Sequence, residues 1–164
     1  MAFVKGFINS EGEIEVSKDV KFTGQDYAYT RVTITSGAIK TLSATPVRLV
    51  AAPGAGKWLE FVSASLLLDY GTNALAEPSA PDDMQIIYDT VTTAVVSQDI
   101  DATNFLTATA DTRNVAIPKV NPIIASASVV NKGLYIWNSG ANYTGNTAND
   151  SVLYIDTVYR VHEV

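Results

Sequence analysis

The sequence predicts an all-β chain, an antiparallel β-sandwich of jelly-roll type with an N-terminal arm and at most one short helix. Three observations predict this. Val, Ile, Thr and Tyr together make about a third of the 164 residues, and branched and aromatic side chains are the ones that fit a pleated, half-buried surface. No eleven-residue window keeps an apolar stripe at i, i+3, i+4 and i+7 with polar flanks, as an amphipathic helix requires. Eight or nine short apolar runs are separated by turn-forming residues at irregular intervals, which suits a sandwich or jelly roll.

Two regions follow from the pattern: residues 1–29 as an N-terminal arm or hairpin, and residues 30–164 as the β-sandwich domain. In the first, Phe3, Val4, Phe7 and Ile8 are apolar, and then Glu11, Glu13 and Glu15 alternate with Gly12, Ile14 and Val16. This reads as a hairpin around residues 9–12 or, preferred slightly, as an extended arm that orders against a partner. From Thr30 to Ser36, Val32 and Ile34 share one face of a strand. Pro46 to Ala51 is a second strand with Val47, Leu49 and Ala51 on one side, closed by Pro53-Gly54-Ala55-Gly56. Trp58 to Tyr70 is a long strand with Val62, Ala64, Leu66, Leu68 and Tyr70 inward. Gly71 to Asp83, with its prolines and small residues, is a loop. Met84 to Tyr88 and Thr92 to Val96 are strands. Asp99 to Asp111 is the one helical candidate, capped by Asp99 or Asp101 with Phe105 and Leu106 inward, although Thr103, Thr107 and Thr109 oppose it. Asn114 to Ile117, Ile123 to Val130 and Leu134 to Asn138 are strands. The last two are joined by Asn131-Lys132-Gly133 as a tight turn with Gly133 in the left-handed bulge position. The final strand runs from Val152 to His162. One of its faces is Leu153, Ile155, Thr157, Tyr159 and Val161, and the other, with Val152, Tyr154 and Val158, is half apolar too. A strand apolar on both sides is covered on both sides, so a neighbour, either the arm or another subunit, is expected over Tyr154 and Val158.

Composition narrows function. The chain has no Cys, which excludes a disulfide scaffold, a Cys-based zinc site and a thiol nucleophile. A net charge of −6 and a pI near 4.6 argue against a nucleic-acid surface, which needs a basic face. No apolar run reaches the length of a membrane span, and Met1-Ala-Phe-Val-Lys5 lacks the order of a signal peptide, so a soluble chain is expected. Charge is unevenly spread. Between Lys57 and Arg113 there is no basic residue, and that interval is locally −9. It reads either as an acidic end of a polarised molecule or as Asp serving turns.

Motifs that suggest chemistry do not survive inspection. Ala51-Ala-Pro-Gly-Ala-Gly-Lys57-Trp58 nearly spells a nucleotide-binding loop, but Trp58 stands where the magnesium-holding hydroxyl belongs and a strand follows instead of a helix. It reads as a strand-to-strand corner with Lys57 at its tip. Asp82-Asp83 and Asp99/Asp101 lack the spacing of a calcium loop and read as turn caps. As paired carboxylates of a glycan-degrading enzyme they would have to face one groove. His162 is the only histidine, which excludes a multi-His metal site. Asn142-Tyr-Thr and Asn149-Asp-Ser match glycosylation acceptors. Trp137, Tyr135, Tyr143 and Tyr154 form either a sugar-binding platform or part of the core. No catalytic residue, cofactor or metal is assigned.

The run from Ser36 to Val62, Ser-Gly-Ala-Ile-Lys-Thr-Leu-Ser-Ala-Thr-Pro-Val-Arg-Leu-Val-Ala-Ala-Pro-Gly-Ala-Gly-Lys-Trp-Leu-Glu-Phe-Val, is followed by Asp69-Tyr70-Gly71. It resembles small virion structural proteins of tailed bacteriophages, some of which are similar to jelly-roll capsid decoration (cement) and head proteins. Tyr159-Arg160-Val161 matches a C-terminal feature of the same group. The resemblance covers residues 36–71 and, loosely, the last strand. It implies a non-enzymatic virion role on the phage head surface, with the major capsid protein or other virion proteins as partners, as a homo-oligomer (dimer or trimer), without nucleic acid or membrane. Such a protein adds buried surface across a shell. The residues expected to contact partners are Phe3, Val4, Lys5, Phe7 and Ile8 of the arm, with Tyr154 and Val158 of the last strand. The alternative is a receptor- or glycan-binding module of a head or tail fibre, using Trp137 or Tyr143.

Overall fold

A computed structural model describes the backbone of residues 6–8 and 14–16 and, more fully, residues 27–77, 83–146, 148 and 150–164. Its strands are β1 (Gly6–Ile8), β2 (Ile14–Val16), β3 (Ala28–Thr35), β4 (Val47–Val50), β5 (Lys57–Asp69), β6 (Leu75–Ala76), β7 (Met84–Tyr88), β8 (Thr112–Ala116), β9 (Leu134–Asn138), β10 (Thr144–Gly145) and β11 (Val152–Glu163). One helical turn, α1 (Ser36–Ile39), and a 3-10 turn at Ser126–Ser128 complete the described elements. Two antiparallel sheets, ordered β3-β11-β5-β8 and β4-β9-β7, carry the fold. Ile34, Leu59, Leu66, Leu153 and Ile155 of the first pack in one core with Leu49, Ile86, Leu134 and Ile136 of the second. The expected all-β sandwich is what the chain forms.

The path alternates. β3 lies in the larger sheet, β4 in the smaller, β5 in the larger, β7 in the smaller, β8 in the larger, β9 in the smaller and β11 in the larger. The connections therefore gather at two ends. Residues 36–46, 70–83, 101–111 and 139–151 meet at one, where β6 pairs with β10. Residues 51–56, 89–93 and 117–133 meet at the other. β1 pairs with β2 antiparallel, with Gly6 opposite Val16, and the hairpin turn expected around residues 9–12 lies outside the described residues.

Several local expectations are overturned. Residues 99–111 form no helix. Asp101 accepts the Thr103 N–H at 2.8 Å, and Asn104 adopts φ 59°, a left-handed conformation that ends helical propagation. Phe105 and Leu106 are buried all the same. Thr92–Val96 is not a regular strand. Residues 94–100 run back along β7 through bridges Ile87↔Val95 and Met84↔Ile100, but the Ile86 N–H goes to the Ser97 hydroxyl and interrupts the ladder. Residues 123–130 form no strand either, since Ile123 is fully exposed and the chain turns at Ser126–Ser128. The left-handed residue before β9 is Asn131, φ 53°. Gly133 is needed for close approach, because a Cβ there would sit 2.6 Å from the Val50 carbonyl oxygen. In β4 a register shift between Arg48 and Val50 buries Leu49 and Val50 and leaves Ala51 exposed. In β5 a shift leaves Val62 as the extra residue between the Val158↔Ser63 and Tyr159↔Phe61 pairs. This β-bulge reverses the alternation, so Leu59 and Phe61 join Ala64, Leu66 and Leu68 in the core while Val62 is half-buried.

Candidate functional site

The outer face of the larger sheet is built in cross-strand rows. Val158 lies between Tyr29 and Ser63, Asp156 between Arg31 and Ser65, and Tyr154 between Thr33 and Leu67. Val115 on β8 stands beside Ser65. Tyr29 is 76% exposed, Val115 60% and Ile117 48%, so the face is apolar at both flanks. At its centre Arg31 donates from Nε and Nη2 to the two Asp156 carboxylate oxygens at 2.7 and 2.6 Å, a bidentate fork. The Arg31 hydrogen bond holds the Asp156 carboxyl below its ordinary value, and the guanidinium is raised in turn. Tyr154 and Val158, expected as contact residues, are both on this face and half-buried. Phe3, Val4 and Lys5 lie outside the described residues, and for Phe7 and Ile8 only the backbone of β1 is described.

Where β5 and β11 run on past β8, a second group assembles. The register sets Glu60 opposite Arg160 and Trp58 opposite His162. His162 Nε2 lies 2.8 Å from Glu60 Oε2, and Arg160 Nη1 lies 3.6 Å from the same oxygen. The Trp58 and His162 rings stack at 4.4 Å. The Arg160 guanidinium sits 4.1 Å over the Tyr27 ring and donates to the Tyr27 hydroxyl, a cation–π contact. Beside this group opens a cleft of about 650 Å³ lined by Trp58, Glu60, Val62, Tyr88, Ile124 and Val129 among others. The buried Tyr88 hydroxyl donates to the Leu59 carbonyl. Burial, and then the Glu60 charge, push that hydroxyl up to about 12.

Other candidates are dispersed. Tyr143 is buried. Tyr135 and Trp137 share the half-buried outer face of β9 in the smaller sheet, where Trp137 donates from Nε1 to the Ser43 carbonyl at 3.0 Å, and Tyr154 faces out from the larger sheet, so the four aromatics do not gather on one face. Asp99 accepts from Gln85 Nε2 at 2.5 Å, and Asp101 caps a turn. Asp82 is outside the described residues. Among the described residues no three His, Asp or Glu side chains are placed to hold a metal ion. Lys57 begins β5 next to the corner at Gly54 and Gly56, both at positive φ, as the strand-to-strand reading requires. Sequence reasoning missed Tyr27, Trp58, Glu60 and Arg160 and read His162 as a plain strand residue. The available signal was that Trp58/Glu60 and Arg160/His162 are each spaced by two, on one face of a strand, with complementary charge.

No protein-family model matches the chain. No curated protein matches it in sequence. Two viral structures are similar in shape. A chain of the cyanophage Pam1 capsid asymmetric unit has 15% identity and a TM-score of 0.41, covering 93% of this chain and 96% of that one. A chain in a crystal structure of Israel acute paralysis virus has 11% identity and a TM-score of 0.28, covering 100% of this chain and 93% of that one.

Proposed function

We propose that this chain is a non-enzymatic virion structural protein, a decoration or cement subunit that stabilises a phage head shell as a homo-oligomer. The observation that carries the reading is the open outer face of the larger sheet. Its exposed Tyr29, Val115 and Ile117 flank the half-buried Tyr154 and Val158 around the central Arg31–Asp156 pair, a partly apolar surface suited to another protein. Two further points support it. The strand path, which changes sheet at each of the six steps between the seven main strands, reads as a jelly roll, and residues 36–71 resemble tailed-phage virion proteins. In this reading the face, together with Phe3, Val4, Lys5, Phe7 and Ile8 of the N-terminal segment, meets the major capsid protein or a second subunit. At about 25 cal/mol per Å² of apolar area, repetition over a shell multiplies a modest contact.

The test is the copy number of the chain in purified virions, measured by quantitative peptide mass spectrometry against the shell subunit. Hundreds of copies in a simple ratio are expected. A few copies would assign the chain to a fibre, and absence would overturn the virion role. In a reconstitution with shells lacking the chain, Tyr154→Asp with Val158→Asp should abolish binding while the melt of the free protein stays cooperative.

A further inference from the structure

The two main sheets end in β3 and β8 on the larger and β4 and β7 on the smaller, and an edge strand offers its main chain to any neighbour able to pair with it. Three of these edges are blunted. β7 is flanked by returning chain through the Ile87↔Val95 and Met84↔Ile100 bridges. Beside β8 the Gln98 N–H reaches the Ile117 carbonyl at 2.9 Å, and the Val115 N–H turns to the Asn114 side chain. β4 is four residues long with a register shift, and Thr30 Oγ1 donates to its Leu49 carbonyl at 3.0 Å. β3 is different: it is eight residues long, pairs with β11 without a shift and contains no Pro, Gly or Lys.

The hydrogen bonds at the far end of the sheet fix which groups of β3 face outward. The Asn131 N–H bonds the Lys57 carbonyl, and the Val164 N–H bonds the Gly56 carbonyl, so Lys57 points away from β11 while Val164 points toward the β5 side. Alternation in an antiparallel ladder then turns the main chain of the even residues of β11 to β5 and that of the odd residues to β3. Through the Tyr159↔Ala28, Thr157↔Thr30, Ile155↔Val32 and Leu153↔Ile34 pairs, the even residues of β3 bond to β11. The N–H and C=O groups of Tyr29, Arg31 and Thr33 therefore point out of the sheet edge. Among the described residues no strand, loop or side chain meets them there.

We propose that this edge pairs antiparallel with the same edge of a second copy about a two-fold axis, joining the larger sheets of two protomers into one. Such an axis sets residue i opposite j and j opposite i. With Val32 on the axis, Arg31 faces Thr33 of the second copy, so outward main-chain groups meet outward groups on both strands. Tyr29 faces Thr35, Thr30 faces Ile34, and no like charges are opposed. Moving the axis to Arg31 opposes two guanidinium groups, which is destabilising. The edge thus matches itself in charge and register, and this selects a second copy as the occupant. The pairing stands apart from the virion reading: a chain absent from virions can form this dimer, and a monomer can decorate a shell.

The full-length protein should sediment as a dimer at micromolar concentration. Thr33→Pro removes an outward N–H and leaves the β11 ladder intact. It should weaken dimerisation by at least about tenfold with the far-UV spectrum unchanged. The chain contains no cysteine, so cross-linking reads the register independently of the proline variant's folding. An equimolar mixture of the Tyr29→Cys and Thr35→Cys proteins should oxidise to a covalent dimer about tenfold faster than either protein alone, because only the mixed pair sets the two sulfurs opposite each other. A monomer or trimer in sedimentation overturns the proposal. So does a dimer indifferent to Thr33→Pro, or a mixture that oxidises no faster than its components.

Discussion

The two ends of the sandwich are closed in different ways. At the end where 36–46, 70–83, 101–111 and 139–151 meet, each loop is tied to the next by a side chain reaching backbone. Lys40 Nζ donates to the Asn146 carbonyl at 2.6 Å, Ser43 Oγ to the Gly140 carbonyl at 2.5 Å, the Tyr70 N–H to Asp111 at 2.9 Å and the Thr72 N–H to Asp150 at 2.7 Å. Asp69, Glu77, Asp83, Asp99, Asp101 and Asp111 lie in these loops or at their rims, so the stretch of sequence without basic residues places most of its described acids at one end, where Asp150 joins them. At the other end Asn131 bonds Lys57 and Gly54, while Asp89 accepts the Gly133 N–H at 3.0 Å and pairs with Lys132 at 3.0 Å. Beyond those contacts the wall is irregular chain around a cleft. Side chains of one loop reaching the backbone of another close the first end, whereas close main-chain approach around Asn131, Asp89 and Gly133 holds the second. The first should tolerate single changes better than the second.

Paired glycine substitutions put the contrast to its hardest test. Gly133→Ala drives a Cβ to 2.6 Å from backbone that cannot yield, and should cost about 3 kcal/mol in a urea melt, the upper range for overpacking. Gly71→Ala meets first the Asp150 carboxylate, a side chain that can move only by giving up its hydrogen bonds from Thr72, and then the Asp150 backbone at 3.0 Å, and should cost about 1–2 kcal/mol. Equal losses would erase the distinction between the ends.

Tyr88→Phe, again at the cleft end, strips the donor from the buried Leu59 carbonyl and should cost about 1–2 kcal/mol. It also changes alkaline behaviour. Tyrosine in the unfolded chain ionises near 10, whereas Tyr88 in the fold does so at about 12. The raised value means that its contribution is fully present below pH 10 and is lost as pH rises through 12. Stability followed against pH should therefore fall less over that window in the variant than in the parent.

The smallest effects belong to exposed carboxylates. The Thr72 N–H holds Asp150 below its ordinary value, as Arg31 does for Asp156. Lowered values place the stabilisation above the normal carboxylate range and remove it as pH falls through the folded values. Asp150→Asn and Arg31→Ala should each flatten the acid limb of a stability–pH curve slightly. The Arg31→Ala effect should fade in high salt, because that pair is open to solvent.

Regular strands were legible because alternation and flanking turn residues agree. β7 and β9 have the bounds read from sequence, and β5 and β11 differ by a residue at their ends. What failed depended on partners distant in sequence. Thr92–Val96 has a strand's composition, but the Ser97 hydroxyl competes for a ladder position. Ile123–Val130 has the apolar content of a strand yet serves as a wall that packs Ile124 and Val129 on the core. The bulge at Val62 is invisible without β11, since only register shows which residue is extra. The same holds for the site. Tyr154 and Val158 could be placed on the outer face because apolarity on both faces of one strand is local information. The Trp58–Glu60–Arg160–His162 group needed the pairing of residue 60 with residue 160.

The position of β11 also governs how the molecule can be made. It is the last strand, and it lies inside the larger sheet with β3 on one side and β5 on the other. Residues 28–35 thus wait for partners more than a hundred positions downstream, the kind of non-local pairing that slows folding. During synthesis β3 and β5 are made long before the strand that joins them, and their open edges are exposed to other nascent chains meanwhile. The larger sheet cannot be completed until residues 152–163 have been translated.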